Sequence, residues 1–269
     1  MNEKTWVDHY YDALTFFYWE PQHLGRIKDV RARLNSEILV LKRLHSMEVT
    51  LNQIINQFLA LAPLSLRSLL FEQALGHPIV GEFALSGRGF SGGRPNWDTC
   101  QPDFEFISAD ASTVIFIEMK IESQSRIEQV LKYGARALSN EQSQKHEMQS
   151  TLIFLGKGSF KALWPRSTGI TSVDELHCAL LKVQDAFCDS RLKTASHLKC
   201  RFAEILSTMR FGFFSYSDFE RILLKERESA IATSSPLYVR LLDGMLRELR
   251  QRNLVPVEAL VTPPLEVAQ

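Results

Sequence analysis

Two short segments constrain this chain more than anything else in it: PDFEFI, from Pro102 to Ile107, and TVIFIEMK, from Thr113 to Lys120. Both are runs of aromatic and β-branched residues, the composition of buried strands, and the SADAS segment between them has the small and polar residues of a turn. A hairpin is expected, with TVIFIEMK as a central strand. Strand alternation then puts Val114, Phe116, Glu118 and Lys120 on one face and Ile115, Ile117 and Met119 on the other. A carboxylate and an ammonium therefore stand side by side at the end of an apolar strand. Burying either alone is costly, so they must be paired, metal-bound or placed at a cleft.

The flanking segments supply the rest of the architecture. From about Asp29 to Leu75 the pattern is helical: Leu34, Ile38, Leu41 and Leu44 form one stripe, and a second helix starts near Glu48 with Leu51, Ile54, Ile55, Phe58 and Leu59 on its apolar face. Pro63 interrupts it, and a third short helix runs to Gly76. A short apolar segment, Ile79 to Leu85, precedes the hairpin. A helix from about Arg126 to Leu138 and a buried strand from Thr151 to Leu155 follow it. Strand, strand, helix, strand on a helical preface reads as α/β. Beyond Thr171 the chain reads as helical, opening with Ser172 and Glu175 in capping-box spacing and closing with a helix near Leu237 to Arg252. The expected division is residues 1–170 and a helical C-terminal module, 171–269.

Hard oxygen ligands converge if the hairpin brings Asp103, which follows Pro102, near Glu118. Two carboxylates of this kind suit a divalent cation, and Lys120 beside them is placed to orient or activate a water. Pro102-Asp103, then 14 residues, then Glu118-Met119-Lys120 resembles the PD-(D/E)XK nuclease superfamily. Gln129 and Tyr133, a Gln-x-x-x-Tyr pair on the helix after the lysine strand, resemble the accessory motif of its exonuclease-like branch. The resemblance runs from about Glu48 to Leu155. It implies a restriction-endonuclease-like αβα core with a mixed central sheet, a helical N-terminal extension and a helical C-terminal module.

By that resemblance Asp103 and Glu118 would ligate Mg²⁺ or Mn²⁺, with an upstream acid, Glu48 ahead of its rivals Glu72 and Glu82, completing the set. Lys120 would position the attacking water and stabilise developing charge, while Gln129 and Tyr133 would position the helix or the nucleic acid. The implied reaction is phosphodiester hydrolysis, on DNA in preference to RNA, in restriction, phage defence or repair. A homodimer is plausible by resemblance only. The alternatives are a strand-end salt bridge without chemistry, or a catalytically silent nucleic-acid-binding or signalling module on the same fold.

Phosphate contacts are expected from the helix face that Gln129 and Tyr133 share with Lys132 and Arg136, and from a glycine-rich loop carrying Arg88 and Arg94. That loop, Gly87 to Gly92, literally satisfies G-x-G-x-x-G, but Gly93, Arg94 and Pro95 follow it instead of a helix, so a dinucleotide site is rejected. An ordinary solvent loop explains it equally well.

Charge and composition set the outer bounds. With 31 Lys and Arg against 31 Asp and Glu, the chain has no global positive field. A bound cation supplies positive charge locally, so neutrality is compatible with a nucleic-acid substrate. From Arg191 to Arg252 there are 12 Lys and Arg against 7 Asp and Glu, a local excess that suits either a substrate-facing module or a solvated bundle, the latter being favoured. No apolar run reaches the roughly 18 residues of a membrane span. The four cysteines, Cys100, Cys178, Cys188 and Cys200, lack metal or disulfide-framework spacing, which points to a reduced, cytoplasmic protein.

Overall fold

A computed structural model describes residues 4–18, 29–86, 102–183 and 196–256. Four helices open it: α1 (Trp6–Tyr18), α2 (Val30–Ser46), α3 (Glu48–Leu61) and α4 (Leu64–Leu75). Strands β1 (Phe83–Ser86), β2 (Phe104–Ser108) and β3 (Thr113–Met119) follow, then α5 (Ile127–Gln144) and β4 (Gln149–Gly156). The remainder is α6 (Val173–Val183), α7 (Ser196–Thr208), β5 (Arg210–Ser215), α8 (Tyr216–Ala232) and α9 (Pro236–Gln251).

The five strands form one mixed sheet in the order β1-β2-β3-β4-β5, which makes β3 central. β1, β2 and β3 pair antiparallel, with Phe104 opposite Ile117, while β3, β4 and β5 run parallel. The β2–β3 turn is the SADAS segment, where the Asp110 carboxylate accepts hydrogen bonds from Ser108 and Ser112. The parallel strands end together, Met119 beside Leu155 and Leu155 beside Phe214. The C-terminal ends of parallel strands are where α/β sheets place their ligands.

Helices cover both faces, so the central strands β3 and β4 are buried on both sides. Phe104, Phe106, Ile115, Ile117, Met119, Ile153, Leu155 and Phe214 form a core with residues of α1–α4, α8 and α9. Val114, Phe116, Leu152, Phe154 and Phe211 pack on the other side with α5, α6 and α7. The two sets on β3 are those expected from alternation. The chain is thus α/β with helical layers on both sides of a mixed sheet. No helix among the described residues is long and apolar enough to cross a membrane.

Local signals in the early helices hold. α3 starts at Glu48 and stops ahead of Pro63, and α4 ends at Gly76, whose φ of 74° supplies the left-handed cap that glycine adopts without strain. The Glu175 carboxylate accepts from the Ser172 backbone N–H while Ser172 Oγ accepts from the Glu175 N–H, the expected capping box.

One expectation is corrected. The chain beyond Thr171 is not solely helical: Arg210–Ser215 forms β5, and sheet and core both run across the expected boundary at residue 170. The segment RFGFFS is six residues long with alternating aromatic faces, a strand pattern too short to stand out between two helices. Gly212 within it lets α4 approach closely, since a Cβ there would lie 2.8 Å from the Ala74 carbonyl oxygen.

The C-terminal basic excess is also spent differently from a substrate-facing surface. Arg201, Arg221, Arg227, Arg247, Arg250 and Arg252 all form ion pairs with carboxylates of this chain. Arg252 is the most deeply placed. It pairs with fully buried Glu248 at 2.5 Å, donates to Tyr11 Oη at 2.6 Å, and reaches the Leu44 and Met47 carbonyls at 3.3 and 3.0 Å. It thereby ties α9 to the end of α2, one residue before Glu48.

Candidate active site

Glu118 and Lys120 occupy the end of β3 and the residue just beyond it. Because they are two apart on one strand edge, their side chains point the same way, and Lys120 Nζ lies 2.6 Å from Glu118 Oε1. The Lys120 backbone N–H donates to the Leu155 carbonyl at 2.8 Å, extending the ladder and holding the lysine at the sheet edge.

α5 supplies two further donors to Glu118. Gln129 Nε2 donates to Oε1 at 2.5 Å, and the Tyr133 hydroxyl donates to Oε2. The spacing of four residues puts both side chains on one helical face. That face is fixed by burial: Val130, Leu131, Tyr133 and Leu138 all lie in the core, and the Tyr133 ring packs against Phe116 with centroids 5.4 Å apart. Glu118 is itself 5% exposed, a buried anion held by one cation and two neutral donors.

Asp103 lies across from Glu118, one residue before β2. Its Oδ2 accepts from the Met119 backbone N–H at 2.8 Å, and its Oδ1 accepts from the side-chain amide of Asn52 on α3. Burial, then the charge of Glu118 and more weakly that of Glu48, push the Asp103 carboxyl up to about 7, against the pull of the Met119 N–H and Lys120. Glu48, one turn before Asn52 on α3, completes the group. Its pKa is also raised, by burial first and by Glu118, with Lys120 and the Ser123 hydroxyl opposing.

The structure therefore brings Asp103, Glu118, Lys120, Gln129, Tyr133 and Glu48 to one sheet edge. Glu72 and Glu82 are exposed, and Glu72 instead lines a surface groove with Arg221 and Lys225. Arg136 turns inward: its guanidinium spans buried Glu105 on β2 at 2.7 and 3.3 Å, and Asn140 donates to the same carboxylate at 2.7 Å. The expected phosphate contact is replaced by a buried ion pair, because Glu105 alternates onto the α5 side of the sheet and needs a cation there. Lys132 is half-buried on the same helix. Arg88 and Arg94 lie outside the described residues.

Two residues of this neighbourhood escaped sequence reading. Asn52 is 1% exposed and holds Asp103. Its one available signal was its position four residues after Glu48, on the same helical face. Tyr216, which begins α8, is fully buried, and Glu48 and Asp103 act electrostatically on its hydroxyl.

The donor set suits a hard divalent cation. Three carboxylates meet one lysine, and burial, reinforced by the excess negative charge, holds Asp103 partly protonated near neutrality. With Glu118 bonded to Lys120, Gln129 and Tyr133, no three His, Cys, Asp or Glu side chains among the described residues converge on one point. A metal would therefore take Asp103 with Glu48 and displace a protein donor from Glu118. In comparisons with protein-family models, curated proteins and solved structures, none matched this chain.

Proposed function

We propose that the protein is a Mg²⁺- or Mn²⁺-dependent nuclease of the PD-(D/E)XK type that hydrolyses phosphodiester bonds, with DNA the preferred substrate. The observation that carries this reading is the meeting of Asp103 and the Glu118–Lys120 pair at adjacent strand ends, with Gln129 and Tyr133 both bonded to Glu118. A salt bridge with no chemistry does not need a second carboxylate beside it with its pKa raised to about 7. Restriction, phage defence and repair are all settings consistent with such an activity.

In this reading Asp103, Glu118 and Glu48 would hold the cation, which when bound supplies Lewis-acid stabilisation of phosphate charge. Asn52 and the Met119 N–H orient Asp103. Lys120, beside Glu118, would orient the attacking water and stabilise charge on the phosphate oxygens. Gln129 and Tyr133 limit how far Glu118 moves.

The test is cleavage of plasmid, linear and single-stranded DNA, and of RNA, with Mg²⁺ or Mn²⁺. Glu118→Ala and Lys120→Ala are each expected to abolish metal-dependent cleavage while retaining a cooperative thermal transition. Cleavage surviving both substitutions would remove the assignment.

A second reading is a catalytically silent binding or signalling module on the same fold. The full engagement of both Glu118 oxygens by protein donors favours it. Metal binding without cleavage of any substrate supports this reading over the first.

A further inference from the structure

Tyr216 stands at the sheet edge where the three parallel strands end. Ser215, the last residue of β5, is paired with Gly156, and Lys120 follows Met119 two strands away. At about 4.8 Å per strand the backbones are roughly 10 Å apart, a gap that a tyrosine side chain pointing along the edge largely spans. The direction is set by the chain. Phe214 faces the α3 side of the sheet and Tyr216, two residues on, joins the same core. A capping box fixes the turn between them: Ser215 Oγ accepts from the Asp218 N–H at 3.0 Å, and Asp218 accepts from the Ser215 N–H at 3.0 Å.

The hydroxyl of Tyr216 is buried and has no hydrogen-bond partner among the described residues. Buried phenols nearly always find one, because leaving the group unpaired costs about 1–3 kcal/mol. Burial first, and then the charges of Glu48 and Asp103, raise its pKa well above the ordinary range. A phenol is a donor at neutral pH, and this buried, unpartnered one stands at the sheet edge that also holds the two acids proposed as metal ligands. No acceptor among the described residues uses that donor.

We propose that Tyr216 is a further residue of this site, its O–H donating to an oxygen of the hydrated divalent cation that Asp103 and Glu48 hold. The proposal rests on the nuclease reading and extends it to the C-terminal half of the chain. It makes β5 a required element of the site, since the strand carries the phenol to the carboxylates.

The test is Mn²⁺ binding to the full-length protein, followed by calorimetry, with thermal melting of the metal-free protein alongside. Tyr216→Phe removes one oxygen and keeps the ring. The expected result is a metal-free melting temperature equal to or above that of the wild type, with Mn²⁺ affinity reduced roughly 10-fold. Asp103→Asn should remove binding and so locate the ion. If the wild type binds Mn²⁺ and Tyr216→Phe binds it equally well, Tyr216 is not part of the site and the nuclease reading stands. If the wild type binds no Mn²⁺ at millimolar concentration, the nuclease reading itself fails and the role of Tyr216 falls with it. A lowered melting temperature in Tyr216→Phe would also overturn the proposal, since it would show the hydroxyl already bonded within the fold.

Discussion

Asn52 and Asp103 lie on different secondary-structure elements, 51 residues apart in the chain, and are joined by a side-chain hydrogen bond from the amide of the first to the carboxylate of the second. α3 thus does more than pack on the sheet: it delivers Glu48 to the carboxylate cluster and, one turn later, orients Asp103. Asn52→Ala leaves Asp103 Oδ1 without its donor and lets the carboxylate rotate. Mn²⁺ affinity is expected to fall about 10-fold. Stability should drop by about 1–2 kcal/mol, measured by urea unfolding. Unchanged affinity would show that Asp103 keeps its orientation from Met119 alone.

Gln129 and Tyr133 divide the two oxygens of Glu118 between them. Tyr133→Phe removes the hydroxyl that donates to Oε2 and leaves a buried carboxylate under-satisfied, so a loss of about 1–3 kcal/mol is expected in the metal-free protein. Gln129→Ala should cost less, because Lys120 shares Oε1. Thermal melting of the two variants checks the order. An equal or reversed order would show that Lys120 does not compensate for Gln129.

The Asp103 carboxyl binds its proton more tightly in the folded chain, at about 7 against 3.8 for an ordinary aspartate. Between these values the folded state holds more protons than the unfolded one. Its contribution to stability is therefore full at low pH and lost as pH rises through about 7. Asp103→Asn does not titrate, so between about pH 5 and 8 it should lose less stability than the wild type, by about 1–3 kcal/mol. Parallel stability curves for the two proteins would contradict this. Mn²⁺ affinity of the wild type should rise across the same interval, because proton and cation compete for one carboxylate.

Arg136 and Lys132 separate buried from half-buried charge on α5. Arg136→Ala removes the guanidinium that neutralises buried Glu105, and a loss of about 3–5 kcal/mol is expected. Lys132→Ala should change stability by under about 1 kcal/mol. If both cost the same in urea unfolding, the Arg136–Glu105 pair is not the buried anchor its 14% and 6% side-chain exposures indicate.

Arg252→Ala removes the link between α9 and the α2–α3 junction and leaves fully buried Glu248 with Tyr11 as its one donor among the described residues. A loss of about 3–5 kcal/mol is expected. Mn²⁺ affinity should weaken in the same variant through Glu48, which follows Met47. Full affinity in a folded variant would show that α3 is positioned by its apolar face alone.

The sequence by itself determined the elements whose signals are local. The hairpin, the alternation that puts Glu118 and Lys120 on one face, the helix carrying Gln129 and Tyr133, and the starts and stops near Glu48, Pro63 and Gly76 all rest on periodicity and backbone chemistry within a few residues. Tertiary structure decided what depends on partners distant in the chain. Whether Arg136 meets solvent or Glu105, whether Asn52 is an ordinary helix residue or the clasp on Asp103, and whether RFGFFS joins a helix bundle or the sheet are all settled by burial. A polar group removed from water takes whichever partner the fold brings within reach, and that partner is chosen by packing, which no short window of sequence contains.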